Sequence, residues 1–224
     1  MGSFAAAQGR EVIEELVRSI QENTAALSEI DGAIGDGDHG INMNKGFTLC
    51  AQRLAGSSYD LAAGFSTLGT VLLTEIGGAM GPLYGTFFRE LAKPAKGQER
   101  IDGALFERML AQATDAVAAI GGAHVGDKSL LDVLVPSLEA LKGSRAAGKP
   151  FAEALAAMSE TAERSKEGTR EMVARIGRAS RLGERSRGVL DAGATSCALL
   201  LRAMATAIRR LLSRSDYSDY KRSI

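Results

Sequence analysis

Apolar residues in this chain recur at the spacing of one helix face, and hardly anywhere at the alternation of a strand. Val12, Leu16, Ile20 and Leu27 form one stripe, and Leu61, Phe65, Leu68, Leu72 and Ile76 a second. Phe106, Met109, Ala113, Ala116 and Ile120 make a third, followed by Leu131, Leu134, Leu138 and Leu141. Phe151, Leu155, Met158 and Ala162 continue the series, and Cys197, Leu200, Met204, Ile208 and Leu211 close it. Steps of three and four residues fall on one side of a 3.6-residue helix. Shorter helices are expected over 41–55 and 82–93, with a kink in the second half of 150–175. No segment alternates for long enough to specify a strand. The pattern comes to about eight helices and predicts an all-α, up-down antiparallel bundle or barrel. Residues 213–224 turn polar and are expected to fray as a C-terminal tail.

The segments between the stripes are rich in glycine. The chain has 26 glycines in 224 residues, about twice the ordinary share, and they gather at 32–46, 77–85, 121–126 and 177–193. Glycine at helix joints supplies positive φ and lets a backbone approach a ligand closely. Joints after alternate helices of an up-down bundle lie at the same end, so several of these loops can converge on one ligand. Charge narrows the ligand class. Lys plus Arg and Asp plus Glu both count 27, which lacks the basic excess of a nucleic-acid binder. No apolar run reaches the roughly 18 residues of a membrane span. Residues 1–10 lack the pattern of a signal peptide, and Ala6 stands where a myristoylation signal needs a hydroxyl. Cys50 and Cys197 sit alone on apolar stretches and read as buried free thiols. The expected address is cytoplasmic, with neither nucleic acid nor membrane as partner.

The densest cluster contains Asp31, Asp36 and Asp38 with Gly35, Gly37 and Gly40. The glycines spell GxGxxG, but no strand precedes them and no βαβ unit surrounds them, so a dinucleotide fold is excluded. An EF-hand counted from Asp36 fails at its sixth and twelfth positions, Ile41 and Phe47. Gly143, Gly148 and Lys149 imitate a P-loop, yet Pro150 stands where a hydroxyl is needed. What survives is three carboxylates in a glycine-rich turn. A helix N-cap needs one aspartate; three, with no basic residue before Lys45, repel one another unless a cation joins them. Carboxylate oxygens are the donors preferred by a hard divalent ion such as Mg²⁺. The second cluster, around Gly77, Gly78 and Gly81, opens a helix at Pro82 and suits phosphate. In the third, 121–132, Asp127 and Ser129 read equally well as helix caps. The fourth carries Arg175, Arg178, Arg181, Arg185 and Arg187, a local basic patch with the fork geometry that binds phosphates.

Together these segments resemble the L subunit, or C-terminal L domain, of dihydroxyacetone kinase. The matching stretches are DGAIGDGDHGINMN at 31–44, GGAMGPLYGT at 77–86, GDKSLLD at 126–132 and GRASRLGERSRGVLDAGATS at 177–196. The resemblance implies an eight-helix antiparallel barrel over 1–212, with 213–224 as a tail, binding ADP or ATP and two Mg²⁺ at one end. Asp31, Asp36 and Asp38 would ligate the ions. His39, Gly40, Ile41, Asn42, Ala79, Met80, Gly121, Leu130, Arg178, Asp191, Ala192 and Gly193 would contact the nucleotide. The phosphoryl-donor site is then assembled by the metal ligands, with Arg178 as the candidate catalytic side chain. Two positions depart from the family pattern: Met80 replaces a serine, and Ala192 replaces a proline. The resemblance also implies partners. A K subunit would hold the sugar, by default dihydroxyacetone, through a histidine, and neither His39 nor His124 here stands in such a context. A phosphocarrier M subunit would rephosphorylate ADP retained as a coenzyme, the phosphoenolpyruvate-dependent arrangement. The alternatives are an ATP-consuming subunit for another small sugar such as erythrulose, and a nucleotide sensor that binds a transcription regulator.

Overall fold

The computed structural model describes residues 2–222, and side chains over 2–215. Its helices are α1 (Arg10–Glu22), α2 (Thr24–Ile34), α3 (His39–Leu54), α4 (Leu61–Glu75), α5 (Met80–Ala95), α6 (Gly103–Gly121), α7 (Leu131–Ala146), α8 (Phe151–Gly168) and α9 (Ala192–Arg222). The two short helices expected at 41–55 and 82–93 are α3 and α5, each starting two residues early. The expected interruption of 150–175 falls at Gly168, where α8 gives way to a 3₁₀ turn, Thr169–Glu171. The stripe from Val12 to Leu27 divides at Asn23. There the Asn23 amide donates to the Ser19 carbonyl at 2.8 Å and the Thr24 hydroxyl to the Ile20 carbonyl at 3.0 Å. Such local side-chain bonds compete with the helical ladder and bend it. Both α1 and α2 pack on α3 and hardly on each other, so they act as one broken rod.

Counted as rods, eight helical units follow one another around a ring. Each packs on its successor, and α9 returns to pack on α1, closing the barrel. The interior is mainly apolar, with a few buried hydroxyls such as Thr114 and Ser137. Phe47, Phe65, Phe88 and Phe106 are wholly buried, and Phe88 stacks against Phe47, Phe65 and Phe87 at centroid distances of 5.2–5.8 Å. Burying these faces is the main driving force for the fold. One stripe ends early: Ile120 is 52% exposed, because the buried face of α6 stops at Val117. One element escaped the sequence pattern. Ser3–Ala5 (β1) pairs antiparallel with Arg100–Asp102 (β2), placing Phe4 opposite Ile101. Three residues are too few for alternation to show. Among the described residues no helix is long and apolar enough to cross a membrane.

Alternation of direction decides where the loops go. The connections 35–38, 76–79, 122–130 and 169–191 lie at one end of the barrel, and the β ladder lies toward the other. Every connection at the first end precedes a helix, so the N-termini of α3, α5, α7 and α9 share that end. Capping varies from helix to helix at both ends. At the far end Asp60 caps α4 through the Ala63 N–H and Asp102 caps α6 through the Leu105 N–H, both at 2.8 Å, while Gly9 and Pro150 give α1 and α8 none. At the near end Asp38, Ala79 and Leu130 give α3, α5 and α7 no side-chain cap.

Close packing of α4 on α5 depends on glycine. A Cβ added at Gly81 would run into the Ile76 carbonyl and sit 2.8 Å from that of Leu72. Gly143, by contrast, lies in α7 with nothing within 4 Å of an added Cβ. Gly81→Ala should therefore destabilise the protein by about 2 kcal/mol through overpacking. Gly143→Ala should stabilise it by about 0.5 kcal/mol through the unfolded chain. Urea midpoints moving in opposite directions would bear this out; a neutral Gly81→Ala would refute the close approach.

Candidate functional site

The four near-end loops enclose a cavity of about 320 Å³. The turn between α2 and α3 contributes Asp31, Ile34, Gly35, Asp36, Asp38, His39 and Asn42 to its wall, and the start of α5 contributes Gly77 to Met80, Leu83 and Tyr84. Ser129 and Leu130 come from the start of α7, Ile176 to Ala179 from the long connection, and Asp191 to Gly193 from the start of α9.

Asp31, Asp36 and Asp38 offer carboxylate oxygens within 4.8 Å of one another. Asp31 reaches the group from the last turn of α2, and Asp36 and Asp38 from a turn bent by Gly37 at φ 77°. Gly35 makes this possible, since a Cβ there would collide with the Asp31 carboxylate. The donors are all hard oxygens, three charges wide and partly exposed, which fits a divalent cation with room left for water and a second ligand. Arg178 forms an ion pair with Asp36 from across the cavity. Phosphate would find backbone donors, because the starts of α3, α5, α7 and α9 line this space and the residues before α3, α5 and α7 make no side-chain cap bond.

His39 opens α3 and faces inward. Its Nε2 lies 2.9 Å from the Ser196 hydroxyl, which lies 2.6 Å from the Tyr84 hydroxyl. The Gly193 carbonyl accepts from Tyr84 at 3.0 Å and is within 3.1 Å of Ser196. This chain ties α3, α5 and α9 together behind the cavity. Burial lowers the His39 pKa, opposed by the attraction of Asp31. Asp191 caps α9, accepting from the Ala194 N–H at 2.7 Å. Burial pushes its carboxyl up to about 7, against the Ala194 hydrogen bond and with help from Asp132.

Most residues expected at the site reach it: Asp31, Asp36, Asp38, His39, Asn42, Ala79, Met80, Leu130, Arg178, Asp191, Ala192 and Gly193 all line the cavity. Gly40, Ile41 and Gly121 do not. Ile41 is 62% exposed, as a residue about 200° around the helix from His39 must be. Gly40 faces α2, where a Cβ would collide with the Thr24 carbonyl, so its role is packing. Gly121 ends α6 ahead of the left-handed Gly122 and points toward Leu83. Asp127 bonds the His124 N–H at 2.7 Å and closes a turn, while Ser129 receives the Leu131 N–H at 3.2 Å. Sequence reasoning missed Tyr84 and Ser196. Each sits one helical turn past a flagged residue, Met80 and Ala192, and that spacing was the available signal.

Residues 33–206 match the DAK2 domain family. The chain is 39% identical over 184 residues to the ADP-binding subunit of the PEP-dependent dihydroxyacetone kinase of Escherichia coli, covering 82% of this chain and 88% of that one. It is 34% identical over 190 residues to the ADP-binding subunit of the PTS-dependent dihydroxyacetone kinase of Lactococcus lactis, covering 84% and 91%. Against the D-erythrulose kinase of Mycolicibacterium smegmatis the identity is 32%, covering 87% of this chain but 34% of that one. Among solved structures it is similar to the dihydroxyacetone kinase from C. freundii in complex with AMP-PNP and Mg²⁺, with a TM-score of 0.65 at 24% identity. It covers 33% of that chain, so it spans about a third of that kinase's length.

The Asp191 shift has a definite sign. A carboxyl whose pKa is higher folded than unfolded destabilises the fold once ionised. That penalty is absent below the ordinary value of 3.8, grows as pH rises, and is complete above about 7. Asp191→Asn, which keeps the cap acceptor, should therefore stabilise the cation-free protein at pH 8 and do so much less at pH 5. Urea midpoints at the two pH values test this; equal gains at both would contradict the shift.

Proposed function

The chain belongs to the DAK2 domain family, and from that premise we propose that it is the Mg²⁺–nucleotide-binding subunit of a dihydroxyacetone kinase. The observation that carries the proposal is the meeting of three clustered carboxylates and four helix N-termini in one cavity. A cation alone would leave the N–H groups at the uncapped start of α5 without partners, and a phosphate alone would face three carboxylates. A nucleotide diphosphate or triphosphate with its metal answers both. Held by Asp31, Asp36 and Asp38, two Mg²⁺ ions would neutralise the phosphates and stabilise charge on the transferred phosphoryl group.

The chain's own residues divide the remaining work. Gly78, at φ 72°, and the uncapped start of α5 offer backbone N–H groups to phosphate. Leu83, Leu130 and Ile176 give the cavity apolar wall suited to a base. Arg178 can exchange Asp36 for a phosphate oxygen through its planar fork. Nothing in the cavity is arranged to hold a sugar covalently: the His39 ring is engaged with Ser196, and His124 is 86% exposed. This supports a ketose held on a partner K subunit and phosphorylated across the interface. The PEP-dependent and PTS-dependent dihydroxyacetone kinase relatives of E. coli and L. lactis support a phosphoenolpyruvate-dependent route, in which a phosphocarrier subunit regenerates ATP in place.

Asp38→Ala should weaken Mg-ADP binding at least a hundredfold, about 3 kcal/mol, with unchanged helical circular dichroism. Calorimetry that finds equal affinity in the variant would remove the metal assignment. For the retained coenzyme, protein isolated without added nucleotide should carry stoichiometric ADP that exchanges with labelled ATP over hours. Exchange within seconds would instead indicate an ATP-consuming subunit, the erythrulose-type alternative.

A further inference from the structure

Lys128 combines two features that a lysine ordinarily avoids. Among the described residues it is the one non-glycine with a left-handed backbone, φ 64°, and it is 2% exposed. Glycine would meet the turn geometry without strain, and burial of an ammonium is unfavourable without partners. The side chain supplies the reason for both. Its ammonium leaves the 122–130 loop and donates to three carbonyls of the long α8–α9 connection: Met172 at 3.2 Å, Ser186 at 2.5 Å and Val189 at 2.7 Å. An ammonium has three N–H donors, so its capacity is filled by this one segment.

The three carbonyls stand on both sides of Arg178 in sequence, one before it and two after. A single charge therefore fastens the two ends of 172–189 together. Secondary ties follow the same line: the Arg175 N–H donates to the Asp127 carbonyl at 3.0 Å, and the buried Ser186 hydroxyl accepts from the Ala174 N–H at 2.9 Å. The fastened segment brings Ile176, Gly177, Arg178 and Ala179 to the cavity wall.

We propose that Lys128 is a positioning residue: it closes 172–189 into a fixed loop and thereby sets Arg178 against the metal and phosphate site. The clamp is read from contacts alone; its effect on ligand rests on the nucleotide function proposed above.

The segment contains Arg175, Arg178, Arg181, Arg185 and Arg187, so trypsin reports its closure directly. Without nucleotide, Lys128→Met should be cut within 175–187 at least tenfold faster than wild type, at unchanged far-ultraviolet dichroism. Its Mg-ADP affinity should fall at least tenfold. Lys128→Gly should behave likewise although its backbone is relaxed, and Lys128→Arg should recover part of both properties. In an Arg178→Ala background the Lys128→Met loss of affinity should shrink below threefold, which a general loss of stability would not produce. Should Lys128→Met fail to fold, Lys128→Gln carries the same comparison. Wild-type behaviour of Lys128→Gly, or faster cleavage with unchanged Mg-ADP affinity, would overturn the proposal. If wild type binds no Mg-ADP, the nucleotide function falls, and the cleavage rates alone then uphold or overturn the clamp.

Discussion

Up-down packing brings four helix N-termini and four C-termini to each end of the barrel, so the site end is set apart by how its N-termini are finished. Backbone N–H groups there have no intrahelical acceptor. At the opposite end α4 and α6 answer this with their own aspartates, Asp60 and Asp102. At the site end the corresponding positions of α5 and α7 are Ala79 and Leu130, whose side chains accept nothing. Asp38 before α3 makes no cap bond although its chemistry allows one. Its carboxylate joins Asp31 and Asp36 instead. At the start of α5 the missing cap leaves backbone donors open toward the cavity, whereas Asp191 caps α9, and Asp31 and Ser129 each accept one N–H at the starts of α3 and α7.

Much of this was legible in the sequence because the informative contacts are local. The stripes give the rods, since a core-facing position must be apolar at every turn. The acid triad is legible because its members share one turn of eight residues, and Gly35 and Gly37 announce that the turn is not helical. What stayed hidden depends on distant partners. Ser196 meets His39 across 157 residues and Tyr84 across 112, and each alone looks like an ordinary polar residue on a helix. Lys128 reaches Ser186 across 58 residues, and nothing in GDKSLLD separates a buried lysine from a solvated one. The break at Asn23 and the ladder of Phe4 with Ile101 were invisible for a different reason, being shorter than the periods that reveal helices and strands.

Gly40 and Ile41, expected against the nucleotide, lie off the cavity wall, and helix geometry is the reason. Both lie in the stretch that resembles a nucleotide loop, yet α3 begins at His39, and from there successive residues turn by about 100°. His39 and Asn42 then share the inward face, Ile41 points to solvent, and Gly40 meets α2. Its contact with the Thr24 carbonyl sets how closely α2 lies on α3. Gly40 therefore helps bring Asp31 toward Asp36 and Asp38 without touching the cavity.

The ligand-free site carries more negative charge than its own residues balance. Three carboxylates lie within 4.8 Å, Asp191 is desolvated behind them, and Asp132 adds to the potential that holds its pKa high. Against these stand Arg178, exposed and paired with Asp36, and Lys128, whose donors are committed to carbonyls. The barrel tolerates the imbalance because its stability comes from an apolar interior away from this end, so the strain falls on loops. A cation entering the triad removes repulsion as well as gaining ligands, and a ligand that binds the folded state alone stabilises it in proportion to its concentration over its Kd. Arg178 stands at the centre of this balance: a cation held by Asp36 would compete with the guanidinium for the same carboxylate and would free it to turn toward phosphate.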